Sequence, residues 1–349
     1  MRNQAPVVLL LMRKESPGYY SIERLFESLM PFLSERLDVS VVRVPCHSKG
    51  ILRCVRNVLF TARLRADVIH VTGDIYYCTL AIPRRRCVLT IHDLCSFNRL
   101  KGVRKRVFSL VWYRLPLRWA RRVTAISEET RKQLESEFPA ARGKVELIPN
   151  CIDEAFARNY QPGRTNIGVL QVLQVGTGPN KNLARVAAAA SGLPLHLRII
   201  GPVSYDQRAL LRSMNLSWSS AEQLSAEELV KEYQTNDVLV FASTYEGFGL
   251  PIVEAQAIGL PVITSNIAPM TDIAGDGALF VDPYDEYDIR KSLERLLQSP
   301  DLMRRLRDDG RRNAERFNAT AAADQYVDIY ARTVSLAGLK SFYAGNWTD

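Results

Sequence analysis

The chain contains no run of about eighteen apolar residues, so no segment reads as a membrane-spanning helix. The apolar stretch Pro6 to Met12 (PVVLLLM) is too short for a signal sequence with its cleavage site, and reads as a first buried strand. The six cysteines, Cys46, Cys54, Cys78, Cys87, Cys95 and Cys151, include no C-x-x-C pair, and a chain of this size needs no disulfide staples. Reduced thiols in the cytoplasm are therefore expected. Their spacings, taken with the four histidines, match no zinc-ligand pattern, so they read as small buried hydrophobes and no metal site is assigned. Helix-turn-helix, RNP and zinc-finger patterns are missing as well, which sets nucleic acid aside as a partner. No D-x-D motif stands where a metal ion would bridge a diphosphate.

What is present points to two domains. At 349 residues and 47% hydrophobic composition, the chain exceeds the size at which a single core usually stops growing. Residues 1–150 hold 27 Lys and Arg against 13 Asp and Glu, a balance of +14, which leaves −5 for the rest of a chain of net charge +9. The densest basic pieces are Arg84-Arg85-Arg86 and Arg99 to Arg122, where cations alternate with Val, Phe, Leu, Trp and Tyr. Such a segment suits an anionic bilayer surface. Equally, Val107, Leu110, Val111, Arg114 and Leu115 follow helical spacing, which suits an ordinary amphipathic helix with a solvated basic face.

Six strand candidates occupy the first half: PVVLLLM, Asp38 to Val44, Asp67 to Val71, Cys87 to Ile91, Arg122 to Ile126 and Val145 to Pro149. Helical patterns separate most of them, one running from about Ile22 to Leu33 after a loop at Ser16, Pro17 and Gly18. The alternation predicts a parallel sheet covered on both faces, with functional loops at the carboxyl ends of its strands. His92-Asp93 follows the fourth candidate directly, at such an end. His70 lies inside an apolar run and reads as structural. The second half repeats the pattern. VLQVLQVGTGPNKNLARVAAAA reads as strand, glycine turn and helix, with Gly176 and Gly178 permitting close backbone approach and Lys181 able to place a cation on a diphosphate. Leu195 to Ser204 supplies another strand, and Ser225 with Glu228 forms a capping box. Further strands are expected at Pro261 to Ser265 and Gly277 to Pro283, and helices over Tyr287 to Phe317 and Ala321 to Leu339.

The most specific stretch is Ser243 to Pro261, STYEGFGLPIVEAQAIGLP. The run before it, Asn236 to Ser243, suits a buried parallel strand, and Leu250 to Gly259 has helical apolar spacing. Glu246 then lies in the loop beyond a strand's carboxyl end, and Glu254 about one turn into the next helix. The amides of Gly247, Phe248, Gly249 and Leu250 can point at an anion, and each carboxylate can accept from hydroxyls. Phosphate and polyol are the natural guests. The bland alternative is a surface loop whose glutamates favour a helix N-terminus through its dipole.

This segment resembles the E-x7-E signature of retaining GT-B glycosyltransferases of the large family 4, whose usual form is S-x-x-E-G-F-G-L-P-x-x-E-A-x-A-x-G-x-P-V. The resemblance implies two doubly wound Rossmann-like domains facing a central cleft, with an acceptor-side domain over residues 1–155 and a nucleotide-sugar-binding domain over 156–334. A C-terminal helix at 335–349 would pack back on the first domain. It implies that Glu246 contacts sugar hydroxyls, that Gly249 and Leu250 hold the diphosphate, and that Glu254 accepts from the nucleotide ribose. Lys181 and Asn182 match the lysine and asparagine of the family's phosphate clamp beside Gly176, whereas Thr177 and Asn180 stand where members often have arginine. His92 would lie near the O6 of the donor sugar. Ser127 would cap a helix beside the cleft. Cys151 replaces the usual glycine of P-N-G-[IV]-D, which restricts positive φ at the crossover. The nucleobase is expected near Gly201 to Ser204 and Leu216 to Ser219.

The implied reaction moves a hexosyl-type sugar from a nucleotide-diphosphate donor to a glycan or lipid-linked acceptor with retention, in envelope polysaccharide synthesis and without a metal or other cofactor. The enzyme would be cytoplasmic, with a possible peripheral station at the inner face of the membrane. Two alternatives stand beside it. A nucleotide-sugar epimerase of similar architecture would isomerise donor without acceptor. A non-catalytic basic scaffold would bind membrane or nucleic acid and show no nucleotide-dependent stabilisation.

Overall fold

A computed structural model describes residues 5–15, 21–161 and 168–334. The loop residues Ser16, Pro17 and Gly18, and the stretch 335–349, lie outside them. The expected alternation comes out as two parallel sheets. The first contains β1 (Val7–Met12), β2 (Asp38–Arg43), β3 (Val68–Val71), β4 (Cys87–Ile91), β5 (Arg122–Ala125) and β6 (Val145–Leu147), in the order β2-β1-β3-β4-β5-β6. The second contains β7 (Leu170–Val175), β8 (Leu195–Ile200), β9 (Ser217–Ala221), β10 (Val238–Phe241), β11 (Val262–Ser265) and β12 (Ala278–Val281), in the order β12-β11-β10-β7-β8-β9. β3, β4 and β10 are buried at every position, the pattern of strands covered on both faces. In each sheet the direction of winding reverses once, between β1 and β3 and between β7 and β10, and ligands of doubly wound folds gather beyond the carboxyl ends of such strands.

The chain forms two compact units, each with its own core. It leaves the first at Asn150 and returns to it at Ala319, so the helix Ala319–Thr333 belongs to the first unit although it follows the second. The boundaries expected at 155 and 334 therefore shift. The reason is aromatic packing: Tyr326 and Tyr330 of this helix lie 5.4 and 5.7 Å from the His70 ring, and Tyr326 lies 5.6 Å from Phe26. His70 is buried in β3, with Nδ1 hydrogen-bonded to Tyr330 Oη at 2.8 Å and Nε2 to Thr90 Oγ1 at 2.7 Å. Its expected structural role fits this setting.

Three local outcomes differ from the sequence pattern. β9 stands where Leu216 to Ser219 suggested a loop. The helix over Tyr287 to Phe317 divides at Ser299 into Glu286–Gln298 and Pro300–Ala314, because Ser299 caps the second piece and Pro300 removes an amide from the ladder. Cys151 needs no left-handed backbone, since the non-glycine residues with positive φ among those described are Asn182 and Gln223. All six cysteines are thiols, and burial pushes Cys78 and Cys87 up to about 12.

Candidate functional site

The loops after β7 and β10, the two strands at the reversal of the second sheet, are stapled to each other. β7 ends at Val175, and Gly176 turns the chain with φ +88°. A β-carbon added at Gly176 would stand 2.9 Å from Lys181 Cε and 3.0 Å from Cγ, so the lysine stem lies directly over the glycine. Lys181 sits in the short 3-10 turn Pro179–Lys181, ahead of the helix Leu183–Ala190 rather than at its first residue. Its Nζ donates to Glu246 Oε1 at 2.6 Å and lies 4.3 Å above the Phe241 ring. Asn180 Nδ2 donates to the same carboxylate oxygen at 3.2 Å and to the Tyr245 carbonyl at 3.0 Å, while Thr244 N donates to the Asn180 carbonyl at 2.8 Å. Both partners of the ion pair are mostly covered, at 20% and 13% side-chain exposure, so the pair is less screened than a surface one. The two groups given separate ligands by the sequence thus meet.

Beyond Glu246, Phe248 is buried, and Gly249 adopts φ +105° before the helix Leu250–Ile258. Gly249 brings no side-chain acceptor to that helix start, and no acidic residue occupies its first turn. No carboxylate of that first turn offsets the helix dipole, the condition that suits an incoming anion. Glu254, on the same helix, accepts from Tyr233 Oη at 2.6 Å. Burial first, and the nearby Glu254 second, raise the Tyr233 phenol well above its ordinary range, so it remains a hydrogen-bond donor. Tyr233 comes from the helix Ala226–Thr235, which the expected Ser225–Glu228 capping box begins. It was absent from the sequence-based candidates; its only signal was an aromatic on the apolar face of that helix. Asn182, expected at the phosphate clamp, has αL geometry and a buried side chain whose Nδ2 donates to the Ala242 carbonyl at 3.0 Å and the Pro283 carbonyl at 2.6 Å. It ties three loops together. Gly201 lies beside this cluster, since its added β-carbon would be 3.6 Å from Gly176 Cα, whereas Leu216 to Ser219 runs into the edge strand β9 and not past its carboxyl end.

In the first unit, His92 follows β4 and is buried. Its Nε2 donates to the Thr72 carbonyl at 2.5 Å, at the carboxyl end of β3. Burial is the main cause that lowers its pKa, so the ring is neutral with the proton on Nε2 and a lone pair on Nδ1. Asp93 Oδ1 accepts from Cys95 N at 2.7 Å, a local turn contact. Arg13, after β1, pairs with Asp74, after β3, at 3.6 Å. This pair marks the reversal point of the first sheet. Ser127 caps the helix Glu128–Glu137 through Thr130 N, as its sequence position suggested.

Comparison with known proteins adds three kinds of likeness. Residues 166–313 match the family described as glycosyl transferases group 1, and residues 27–156 match the one described as glycosyltransferase family 4. The MMP alpha-(1->4)-mannosyltransferase of Mycolicibacterium hassiacum is 27% identical over 337 residues, spanning 87% of this chain and 79% of that protein. An O-antigen chain mannosyltransferase B of Escherichia coli is 29% identical over 286 residues, spanning 71% of each. Among solved structures, Anabaena HepE in complex with UDP-glucose superposes with a TM-score of 0.73 at 16% identity, over 94% of this chain and 100% of that one. The last likeness concerns the fold.

Proposed function

The chain belongs to the group 1 glycosyl transferases of GT-B fold, and from that membership we propose that it moves a hexosyl-type sugar from a nucleotide-diphosphate donor to a glycan or lipid-linked acceptor, in envelope polysaccharide synthesis. The observation that carries this reading is the Lys181–Glu246 pair at 2.6 Å, held over Gly176 between the loops of β7 and β10. In the absence of a sugar donor each group neutralises the other. When the diphosphate arrives, Lys181 Nζ turns to a phosphate oxygen, and Glu246 Oε1 becomes available to sugar hydroxyls. The start of the helix Leu250–Ile258 faces the same charge with its amides and dipole, so leaving-group charge is met without a divalent ion. Glu254, oriented by Tyr233, accepts from the ribose. His92, with Nδ1 as acceptor, is assigned to a hydroxyl of the transferred sugar. Transfer breaks the bond from C1 to the phosphate oxygen and forms one from C1 to the acceptor oxygen on the same face, with the acceptor proton passing to the departing diphosphate.

The UDP-glucose bound by HepE supports a nucleotide sugar as donor, and the mannosyl transfer named for two relatives supports a hexosyl group as what is moved. No helix among the described residues is long and apolar enough to cross a membrane. A cytoplasmic enzyme whose stretch Arg99 to Arg122 meets an anionic membrane surface is the reading adopted for its station. The test is a thermal-shift panel of nucleotides and nucleotide sugars with Glu254→Ala as control, run with and without a chelator. At least one nucleotide sugar should raise the melting temperature of the wild type and not of the variant, with the chelator changing nothing. Indifference to every member of the panel would overturn the donor assignment.

A further inference from the structure

The first unit exposes more apolar surface than the stretch Arg99 to Arg122 accounts for. On the helix Ile51–Thr61, Ile51 and Leu52 are 83% and 86% exposed, and Val55 and Leu59 are 48% and 57% exposed. At 100° per residue these four fall within about a quarter-turn of the helix, with Arg56 and then Arg53 beyond its Leu52 edge. The opposite side of the helix is anchored: Asn57 is buried and donates to Tyr77 Oη at 2.9 Å. Tyr77 in turn lies 4.8 Å from the Trp112 ring, in the helical run that begins at Gly102. That run exposes Val103, Val107 and Leu110, spaced i, i+4 and i+7. The segment Tyr76–Ala81 lies between the two and exposes Leu80.

Charge decides what such a surface meets. Residues 49–66 carry five Lys or Arg and no Asp or Glu, and residues 94–127 carry nine and none. A second copy of the chain would set like charges against each other across a two-fold interface. Exposed bulky aliphatics in a segment whose only charged side chains are cations fit a surface that is anionic outside and apolar a few ångströms deeper. We propose that Ile51, Leu52, Val55 and Leu59, together with Val103, Val107 and Leu110, form one docking face that inserts into the headgroup region of an anionic bilayer. This deepens the membrane reading above, on which it rests, by naming the surface and moving its centre to the helix Ile51–Thr61.

The test is co-sedimentation of the full chain with vesicles of phosphatidylcholine alone or mixed with phosphatidylglycerol. Wild type should partition onto the mixed vesicles at least about tenfold more than onto neutral ones, and lose most of that preference at high salt. The Leu52→Glu/Leu59→Glu and Val103→Glu/Val107→Glu variants should each lower it about tenfold or more, with melting temperatures unchanged because these side chains leave no core. Wild type that ignores anionic vesicles sinks the membrane reading itself. Variants that bind like wild type leave that reading intact and overturn the assigned face. A wild-type dimer converted to monomer by either variant would give the face to a second copy and likewise overturn the proposal.

Discussion

The phenol of Tyr233 contributes one hydrogen bond, yet that bond sets where Glu254 points. A neutral donor to a carboxylate stabilises by about 1.5 to 3 kcal/mol when the acceptor is charged. Tyr233→Phe keeps the ring packed against Phe156, 5.2 Å away, and removes only the donor. The expected outcome is a KM for the nucleotide sugar raised about five- to twentyfold with kcat nearly unchanged. A 2′-deoxyribose analogue should lose its disadvantage in the variant, because the carboxylate that discriminates it is no longer fixed. Steady-state kinetics with both donors checks this, and an equal fall in kcat would assign Tyr233 to structure alone. At this scale the sequence was partly legible. Glu246 and Lys181 stood out because each sits beside a glycine turn, and Glu254 because it follows Glu246 by eight residues on the helix that this turn opens. Their partners were not, because Lys181 and Glu246 are 65 residues apart and Tyr233 and Glu254 are 21 apart, and no local pattern joins them.

Among elements, the turn after β7 is the most demanding. Gly176→Ala must hold φ +88° with a β-carbon, at about 1 to 2 kcal/mol, and must displace a lysine stem that is 2.9 Å away. The stem is flexible, so it moves and the fold survives. The variant should therefore show a modest drop in unfolding free energy, about 1 to 2 kcal/mol in a urea titration, and at least about a tenfold loss of donor-dependent thermal stabilisation. A full-strength nucleotide response would show that Lys181 reaches the phosphate from elsewhere. Eleven strands were legible as apolar β-branched runs, whereas β9 was not. Its sequence, Ser217-Trp218-Ser219-Ser220-Ala221, lacks that pattern because an edge strand can be held by polar pairs: Ser217 and Ser219 bond His196 at 2.8 and 2.7 Å. The return helix was legible as a helix, but its membership in the first unit was not, since aromatic packing across sheet and helix leaves no mark on periodicity.

For the whole molecule, buried histidines tie stability to pH. Burial is the main cause that lowers His70 to about 3, and burial also lowers His92. An unfolded chain protonates His70 below about 6.5, while the folded one does not until near 3. Between those values the unfolded state binds more protons, so stability falls as pH falls. From pH 7 to pH 5 the loss from His70 alone is about 2 kcal/mol. Urea midpoints measured between pH 7 and pH 5 should decline in the wild type and decline less in His70→Asn; equal slopes would remove His70 as the cause. The same histidine rests against a helix that the ribosome makes late. The Phe26 and His70 side of the first sheet is completed only when residues after Ala319 emerge, about 10 to 30 s of translation after Asn150. The contiguous second unit can therefore finish before the first, and the amino-terminal half of the nascent protein waits with an uncovered aromatic flank, a natural client for whatever shields unfinished chains.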